Sequence, residues 1–469
     1  MQHSVKNCIS NNLNVATIEN STRDYENTIK ILNSLQTNAQ YLKVARKERL
    51  LHHEEYSKTI LQTQKYLIRS GVTLETLDTL PVIHITGTKG KGTTCALSES
   101  ILRHHGLKTG FYSSPHLVEV RERIRINGEP LQKNTFTKHF WNVYNKLETE
   151  KVFPNDMPMY FQFLTILAFK IFLSEKVDVA IIEVGIGGEY DSTNILRNVP
   201  VVGITSLGLD HTSILGNSLK AIAWHKSGIM KPNSRAFTVP QKRSVLKVLS
   251  ERSVEKKVNL SKLTVVQPAT NLITPNIIHQ PLHIYKLNFG LALINWEFTK
   301  MGVLNCTWPG RYQILKHNNN VYYLDGAHTL ESLQVCANWF RQETRESTRV
   351  KALVFNVTGD RDSKTLMSQL QRCNFQKVYF VPNKATKSYT QDEVNYNILE
   401  NEQVARCYLH RKYWYELQSD TCNKAKVKVL FTVSEILQDC DLDQCDILIT
   451  GSLHLVGAAL SILDPNFAS

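Results

Sequence analysis

The segment 81–94 constrains the fold of this chain more than any other part of the sequence. It reads PVIHITGTKGKGTT, an apolar stretch that ends in a cluster of glycines and lysines. The apolar part predicts a buried strand, and the glycines predict a turn before a helix from about Thr93 to His105. Glycine lets backbone N–H groups approach a phosphate, and a helix N-terminus adds partial positive charge. We therefore expect a phosphate-binding α/β domain.

Strands and helices alternate along the rest of the chain. Alternation of this kind predicts parallel sheets covered by helices on both faces. The predicted fold class is α/β with two domains, an N-terminal doubly wound sheet of the P-loop ATPase type and a smaller C-terminal Rossmann-like domain. Further strands are predicted at Val177–Val184, Val201–Ser206, Val321–Leu324, Lys351–Val357, Lys377–Val381 and Asp446–Thr450, with helices at 24–70, Leu330–Arg345 and Lys364–Cys373.

The polar residues His317–Asn320 predict a linker or turn between the two alternating series. We expect a disordered N-terminal segment at 1–23, an N-terminal domain at 24–312 and a C-terminal domain at 313–469. Patterning is weak between 241 and 300.

Composition excludes several classes of protein. No apolar stretch of the 469 residues approaches the roughly 20 residues that a membrane helix requires. The first 20 residues are polar and lack a secretory core segment, so we expect a cytoplasmic protein, with a mitochondrial form from another start site left open. The nine cysteines contain no C-x-x-C pair, which argues against a zinc site or a disulfide framework.

The net charge of +13 is compatible with nucleic acid or with a small polyanionic substrate. Because the chain has no long Lys/Arg run and no Arg/aromatic interleaving, we do not expect a nucleic-acid partner.

The phosphate loop departs from the pattern G-x-x-x-x-G-K-[ST]. Ile85 stands at the first glycine position, and Gly92 follows Lys91. A surface turn is the alternative, but the preceding strand and the following helix favour phosphate binding. The predicted nucleotide-binding residues of the loop are Gly87, Thr88, Lys89, Gly90, Lys91, Gly92, Thr93 and Thr94.

Several further motifs occur in a fixed order over residues 24–465. They are Ser113-Ser-Pro-His-Leu117, Arg121-Glu-Arg-Ile-Arg-Ile-Asn-Gly128, Glu183-Val-Gly-Ile-Gly-Gly188, Asp191-Ser-Thr-Asn194, Asp210-His-Thr212, Lys226, Trp308-Pro-Gly-Arg311, Asp325-Gly-Ala-His328, Gly359-Asp-Arg-Asp362 and Thr450-Gly-Ser-Leu-His-Leu455. Together with the phosphate loop, they resemble the folylpolyglutamate synthase branch of the Mur ligase family, in its eukaryotic form.

The resemblance implies a monomeric, ATP-dependent ligase that adds L-glutamate to the γ-carboxylate of tetrahydrofolate polyglutamates. It also implies a magnesium ion, with a monovalent cation such as K⁺ as a further candidate, and a carbamylated Lys226. By resemblance, Lys91, Lys226 and His328 are catalytic, Arg311, Asp325 and His328 contact the nucleotide, and Thr93, Ser114, Glu183 and His211 hold the metal. We assign the substrate to Ser113, His116, Arg123 and Phe161, although core packing is an alternative role for the aromatic ring.

Two other activities share these motifs or part of them. A dihydrofolate synthase would add the first glutamate to dihydropteroate, and a diverged nucleotide-binding paralogue would have weak or no ligase activity. A nucleic-acid-dependent ATPase is a more distant alternative. Departures from the family pattern at Glu189, Ser227, Ile284 and Tyr285 are expected to alter nucleotide or folate affinity.

Overall fold

The computed structural model describes residues 23–36, 54–258, 263–265, 295–358, 361–387, 400–419, 424–440, 444–465 and 467. The predicted disordered segment 1–23 therefore falls, except for its last residue, outside the described residues. Ile284 and Tyr285 also lie outside them, as do Gly359 and Asp360.

The first half of the described chain forms an eight-stranded sheet with the order β4-β3-β2-β5-β1-β6-β7-β8. Strand β3 runs antiparallel to both of its neighbours, and the remaining pairs are parallel. The strands are β1 (Val82–Thr86), β2 (Thr109–Tyr112), β3 (Ile124–Ile126), β4 (Glu129–Pro130), β5 (Val179–Glu183), β6 (Val201–Ile204), β7 (Arg235–Thr238) and β8 (Leu263–Val265).

Helices cover both faces of this sheet. None of the helices in the described part of the chain is long and apolar enough to cross a membrane. The helices are α1 (Tyr25–Ser34), α2 (Glu54–Arg69), α3 (Leu74–Asp78), α4 (Lys91–His104), α5 (Lys133–Thr149), α6 (Tyr160–Ser174), α7 (Thr212–Leu215), α8 (Leu219–Ser227), α9 (Arg243–Glu255) and α10 (Trp296–Leu304).

Alternation along the central strands divides the core between the two faces. In β5, Ala180 and Ile182 belong to one apolar cluster, whereas Val179 and Ile181 belong to another. Side chains of a strand point alternately to opposite faces, so a strand that is apolar at every position must be covered on both. The sheet is therefore buried, and its strand ends are the places where polar groups meet solvent.

The second half forms a six-stranded sheet with the order β13-β12-β11-β14-β10-β9, in which only β9 is antiparallel to its neighbour. Its strands are β9 (Gln313–His317), β10 (Asn320–Asp325), β11 (Val350–Phe355), β12 (Lys377–Phe380), β13 (Lys426–Val429) and β14 (Cys445–Thr450). Its helices are α11 (Leu330–Glu343), α12 (Ser363–Ser368), α13 (Glu400–Leu417), α14 (Val433–Cys440) and α15 (Leu453–Leu463).

The predicted two-domain α/β fold is confirmed, with differences in detail. The segment 24–70 contains two described helices, with 37–53 between them outside the described residues. The polar run His317–Asn320 connects β9 and β10 in a hairpin, and Asn318 takes a positive φ of 51° there. Strands β2, β3, β4, β7, β8, β9 and β13 were not predicted, because strands of two to five residues carry little apolar pattern.

Candidate functional site

The phosphate loop joins β1 to α4 and depends on two glycines. A β-carbon on Gly87 would lie 1.8 Å from the Oγ1 atom of Thr205, so a side chain does not fit there. Gly90 precedes the helix with a φ of 85°, a left-handed conformation that favours glycine. The loop therefore brings Lys91 to the first position of a 14-residue helix, beside the carboxyl ends of the parallel strands.

The backbone amides of this loop have two different uses. Those of Thr88 and Lys89 donate to the Ser206 carbonyl at 2.9 and 3.1 Å, which attaches the loop to the segment after β6. The first bond of the helix runs from Thr94 N to Gly90 O at 2.9 Å. The amides of the first turn, which belong to Lys91, Gly92 and Thr93, have no acceptor inside the helix. They are therefore the amides suited to bind a phosphate.

Lys91 lies beside a buried carboxylate. Its Nζ atom is 3.8 Å from Oε1 of Glu183, the last residue of β5. The other oxygen, Oε2, accepts a hydrogen bond from the Ser114 amide at 3.3 Å. Burial raises the pKa of Glu183, and Lys91 and the Ser114 amide oppose that rise. A carboxylate in this environment is stabilised by any additional positive charge.

The chemistry of the predicted metal ligands fits a magnesium ion. A carboxylate and the hydroxyl groups of Thr93 and Ser114 are the oxygen ligands that Mg²⁺ prefers, whereas His211 is an unusual ligand for it. His211 precedes α7 with a φ of 51°. Burial lowers its pKa and Asp210 opposes this, while Lys91 adds to the lowering, so His211 shares the electrostatic environment of the loop.

Lys226 is buried against the phosphate loop. It lies in the last turn of α8, is 4% exposed, and donates from Nζ to the Gly87 carbonyl at 2.7 Å. Burial, with a further contribution from Lys91, lowers the pKa of Lys226 to about 7. At neutral pH, Lys226 therefore carries a free, nucleophilic amine in a substantial fraction of the molecules.

Four charged or titratable groups meet where the two halves of the structure approach each other. Lys89 Nζ is 3.0 Å from His328 Nε2 and 3.6 Å from Asp210 Oδ2. Arg361 lies 3.5 Å from the other oxygen of Asp210. The Nδ1 atom of His328 donates to the Gly326 carbonyl at 2.7 Å, which leaves Nε2 as the acceptor that faces Lys89.

The pKa values of this group follow from burial and mutual charge. Burial lowers the pKa of Lys89 to about 8 and that of His328 to about 3. Burial alone would raise the pKa of Asp210, but Lys89, His211 and Arg361 bring it down to about 2. Asp210 is consequently ionised at neutral pH and attracts cationic side chains from both sheets.

Asp325 and Arg311, the two residues before His328 that are predicted to contact the nucleotide, both bind nearby backbone groups. Both oxygens of Asp325 accept backbone hydrogen bonds, from Tyr312 N at 3.1 Å and from Ala327 N at 2.8 Å. Arg311 Nη1 donates to the Gly310 carbonyl at 3.0 Å. Burial raises the pKa of Asp325 and Arg311 opposes this. Asp325 thus shapes the turn that carries Arg311 and leads to His328.

The predicted substrate residues lie around the strand ends of β2 and β5. Arg123 Nε donates to Nδ1 of His116 at 2.9 Å, and the Arg123 carbonyl accepts from the Ser113 amide at 3.0 Å. The half-buried Phe161 ring covers the turn after Glu183, since a β-carbon on Gly185 would lie 2.5 Å from its Cζ atom.

Several positioning residues received no role from the sequence, although the motifs contained them. Asp210 and Arg361 are two of these. Asp191 is the third: its Oδ2 atom accepts from Ile186 N at 3.0 Å, and Oδ1 accepts from Thr193 Oγ1 at 2.6 Å. It thereby holds the turn that follows β5. The sequence did contain an indication of this role, because Asp191 is a carboxylate that follows a Gly-x-Gly-Gly turn.

Two of the residues expected to depart from the family pattern have structural partners. Glu189 forms ion pairs with Arg252 and Lys256. Ser227 donates within its own helix, to the carbonyls of Ala223 and Trp224 at 2.8 and 2.9 Å.

Comparison of the sequence with known proteins points in one direction. No family model matches the chain. The chain is 42% identical over 443 residues to the mitochondrial folylpolyglutamate synthase of Bos taurus, which covers 85% of this chain and 75% of that protein. Identity to the human mitochondrial enzyme is 40% over 441 residues, covering 85% and 74%. Identity to the folylpolyglutamate synthase of Neurospora crassa is 36% over 509 residues, covering 96% and 93%.

Solved structures show the same fold. Folylpolyglutamate synthase from Thermotoga maritima superposes with a TM-score of 0.68 at 23% identity, covering 87% of this chain and 94% of that one. The Mycobacterium tuberculosis enzyme complexed with ADP gives a TM-score of 0.69 at 21% identity, covering 94% and 99%. With extended identity above one third to curated enzymes and a shared fold, this chain belongs to the folylpolyglutamate synthase family.

Proposed function

We propose roles in the reaction for individual residues of this ATP-dependent ligase, which makes folate polyglutamates. The observation that carries the proposal is the meeting of three side chains at the phosphate loop: Lys91 pairs with buried Glu183, and Lys226 donates to the Gly87 carbonyl. From the second sheet, His328 lies 3.0 Å from Lys89 of the same loop. A helix N-terminus with adjacent cations is suited to the phosphates of ATP. The nucleotide lies between the two sheets.

In the first step, a carboxylate oxygen of the folate γ-carboxyl group attacks the γ-phosphorus of ATP. The bond from that phosphorus to the bridging oxygen breaks, and ADP leaves with the electron pair. Lys91 and the first-turn amides offset negative charge on the transferring group. This step converts a poor acyl donor into an acyl phosphate.

In the second step, the amine of L-glutamate attacks the acyl carbon. The tetrahedral intermediate expels inorganic phosphate, and the amine nitrogen loses its proton as the amide forms. Positioning of the two reactants in the cleft, the region between the two sheets where Lys89 and His328 meet, accounts for much of the rate. Ser113, His116, Arg123 and Phe161 hold the folate, and the aromatic ring faces the pterin.

A magnesium ion would be held by Thr93, Ser114, Glu183 and His211, and it would neutralise negative charge on the phosphates. A monovalent cation such as K⁺ is a second ion for the same region. Glu183 suits a metal because its buried carboxylate has only Lys91 as an ion-pair partner within the described residues.

Lys226 reacts as its free amine with CO₂, forming an N–C bond and releasing one proton. The resulting carbamate keeps one N–H, which is the number needed to donate to the Gly87 carbonyl. The modification replaces a cation by an anion beside Lys91. Addition of ¹³C-bicarbonate should give a carbamate resonance in wild-type protein and none in Lys226→Arg, and its absence from the wild type would remove this part of the proposal.

Arg311 contacts the ATP phosphates, Asp325 supports the nucleotide-binding turn, and His328 completes the site from the second sheet.

The domain boundary lies between residues 312 and 313, immediately before β9. The enzyme acts as a monomer. It works in the cytoplasm and, like the relatives named mitochondrial, has a mitochondrial form.

The test is an assay with ATP, tetrahydrofolate and radiolabelled L-glutamate, with products resolved by chain length. We expect label in folate and phosphate release that requires both substrates. Replacing tetrahydrofolate by dihydropteroate distinguishes a dihydrofolate synthase. Nucleotide binding without glutamate incorporation into any folate or pteroate would contradict the assignment of the reaction to this chain.

A further inference from the structure

The turn after β5 lies directly against the C-terminal end of α8. The amide of Glu189 in this turn donates to the His225 carbonyl at 2.7 Å. Asn194 Nδ2 donates to the carbonyls of Glu189 and Gly228 at 3.0 and 3.2 Å, so one side chain joins the turn to the helix end. A β-carbon on Gly228 would lie 2.5 Å from the Glu189 Cα atom, which leaves no room between them.

A group of four side chains, which we call the Glu189 cluster, attaches this contact to α9: it consists of Glu189, Arg252, Lys256 and Trp224. The Glu189 carboxylate pairs with Arg252 and, at 2.8 Å, with Lys256. The Arg252 guanidinium lies 4.5 Å from the centre of the Trp224 ring on α8. Because the Arg252 side chain is only 4% exposed, loss of the Glu189 carboxylate leaves its buried charge with Glu255 alone, and the surroundings must rearrange to accommodate it.

The same helix end carries Lys226. Residues 224–228 contact the Glu189 cluster from one side, and the Lys226 amine reaches the Gly87 carbonyl on the other. Contacts therefore run without interruption from α9 through Glu189 and the last turn of α8 to the phosphate loop. A displacement at Glu189 is transmitted to the amine because the side chains along this path are packed.

We infer that Glu189 is a positioning residue, which sets the last turn of α8 and so the place of the Lys226 amine against the phosphate loop. The inference rests on the catalytic role proposed above for Lys226. Glu189 touches none of the residues assigned to substrate, nucleotide or metal in the contacts of the described chain, so its effect on the reaction is indirect. A departure from the family pattern thus has a defined task in this chain.

Glu189→Gln is the main variant, and Glu255→Gln is its matched control. Arg252 binds Glu255 through Nη1 at 2.5 Å, and the Glu255 side chain is 58% exposed. Each substitution removes one carboxylate from Arg252, but only the first removes the link to the turn. Two quantities are measured in the full-length protein, the kinetic constants of glutamate addition and the rate of Lys226 acetylation by acetic anhydride relative to the exposed Lys247.

We expect Glu189→Gln to lower kcat on the order of tenfold to a hundredfold, the effect of a small displacement in an active site, with little change in KM for ATP. The relative acetylation rate of Lys226 should change in the same variant. Glu255→Gln should match the wild type in both measurements.

Wild-type kcat and wild-type Lys226 acetylation in Glu189→Gln would overturn the inference. So would a lower kcat with unchanged acetylation, since Glu189 would then act through another group. If Glu189→Gln does not fold, Lys256→Gln removes one contact of the same carboxylate and should shift both measurements in the same direction. Full activity in Lys226→Ala would instead reject the proposed role of Lys226, while the acetylation measurement still tests whether Glu189 positions it.

Discussion

The two sides of the cleft hold their charged groups by different means. On the side of the first sheet, Lys226 donates to the Gly87 carbonyl and Glu183 accepts from the Ser114 amide, so buried side chains are bound to backbone. On the side of the second sheet, Arg361 and His328 reach the other half through side chains, toward Asp210 and Lys89.

This difference shows which part of the site is preorganised within one domain. Backbone partners in the first sheet are fixed by strand pairing and helix packing. The contacts across the cleft depend on the relative placement of two sheets, and ion pairs of partly exposed side chains contribute little individually and weaken with salt. The geometry of the first side should therefore be maintained as a unit, whereas the contacts of the second side should respond to small changes in charge.

The largest expected effect comes from the preorganised side. Lys91→Ala removes the cation beside Glu183 and should lower kcat by roughly 10²–10³-fold, the usual contribution of an electrostatic group at a reacting centre. Steady-state kinetics with saturating ATP measure it, and circular dichroism checks folding. A near-normal rate would show that the first side does not depend on this lysine.

The next effect concerns the contacts across the cleft. Asp210→Asn and Arg361→Gln should each lower kcat/KM by about tenfold, and the double variant should lose less than the product of the two losses because they share one interaction. The wild-type rate should also fall with added salt more steeply than that of the double variant. Additive effects with identical salt dependence would show that the two sheets are not coupled through this pair.

A smaller effect is expected from pH at Lys226. Because its pKa is lowered to about 7, the free amine increases as pH rises through that value. Activation by bicarbonate at subsaturating concentration should accordingly increase from below pH 7 to above it, and Lys226→Arg should show no activation. The same shift has a consequence for stability: the unfolded chain binds the additional proton between about pH 7 and the ordinary lysine pKa, so this group makes folding more favourable as pH rises through that range. Activation that falls with rising pH would contradict the free-amine explanation.

The smallest effect is predicted next to Lys226. Ser227→Ala removes a hydroxyl group that bonds only carbonyls of its own helix, those of Ala223 and Trp224. Because Ser227 is buried, the free energy of unfolding should fall by about 1 kcal/mol, the net contribution of a hydrogen bond, and turnover should stay at the wild-type value. Denaturant titration and the glutamate-addition assay measure the two, and a large loss of activity would mean that the helix end is more sensitive than its hydrogen bonds indicate.

Much of the first side could be predicted from the sequence. The loop 87–94, Glu183 at a strand end and Lys226 in an apolar context are local patterns, in which neighbours along the chain supply the physical reason. The hairpin at His317–Asn320 was less predictable, because a polar run is equally compatible with a linker and a turn. The partner of Glu189 could not be predicted, since Arg252 is 63 residues away and nothing local connects the two.

By itself, the sequence determined the α/β fold, the phosphate loop and the family, because apolar periodicity, glycine placement and ordered motifs are properties of neighbouring residues. Only the tertiary structure decided that Asp325 holds backbone amides, that Asp210 gathers cations from both sheets and that Glu189 joins α9 to the end of α8. These depend on distances between residues remote in the chain, and burial at such contacts sets the pKa of Lys89, Lys226 and His328. Desolvation depends on all surrounding atoms, so it becomes defined only when the sheets and helices have packed.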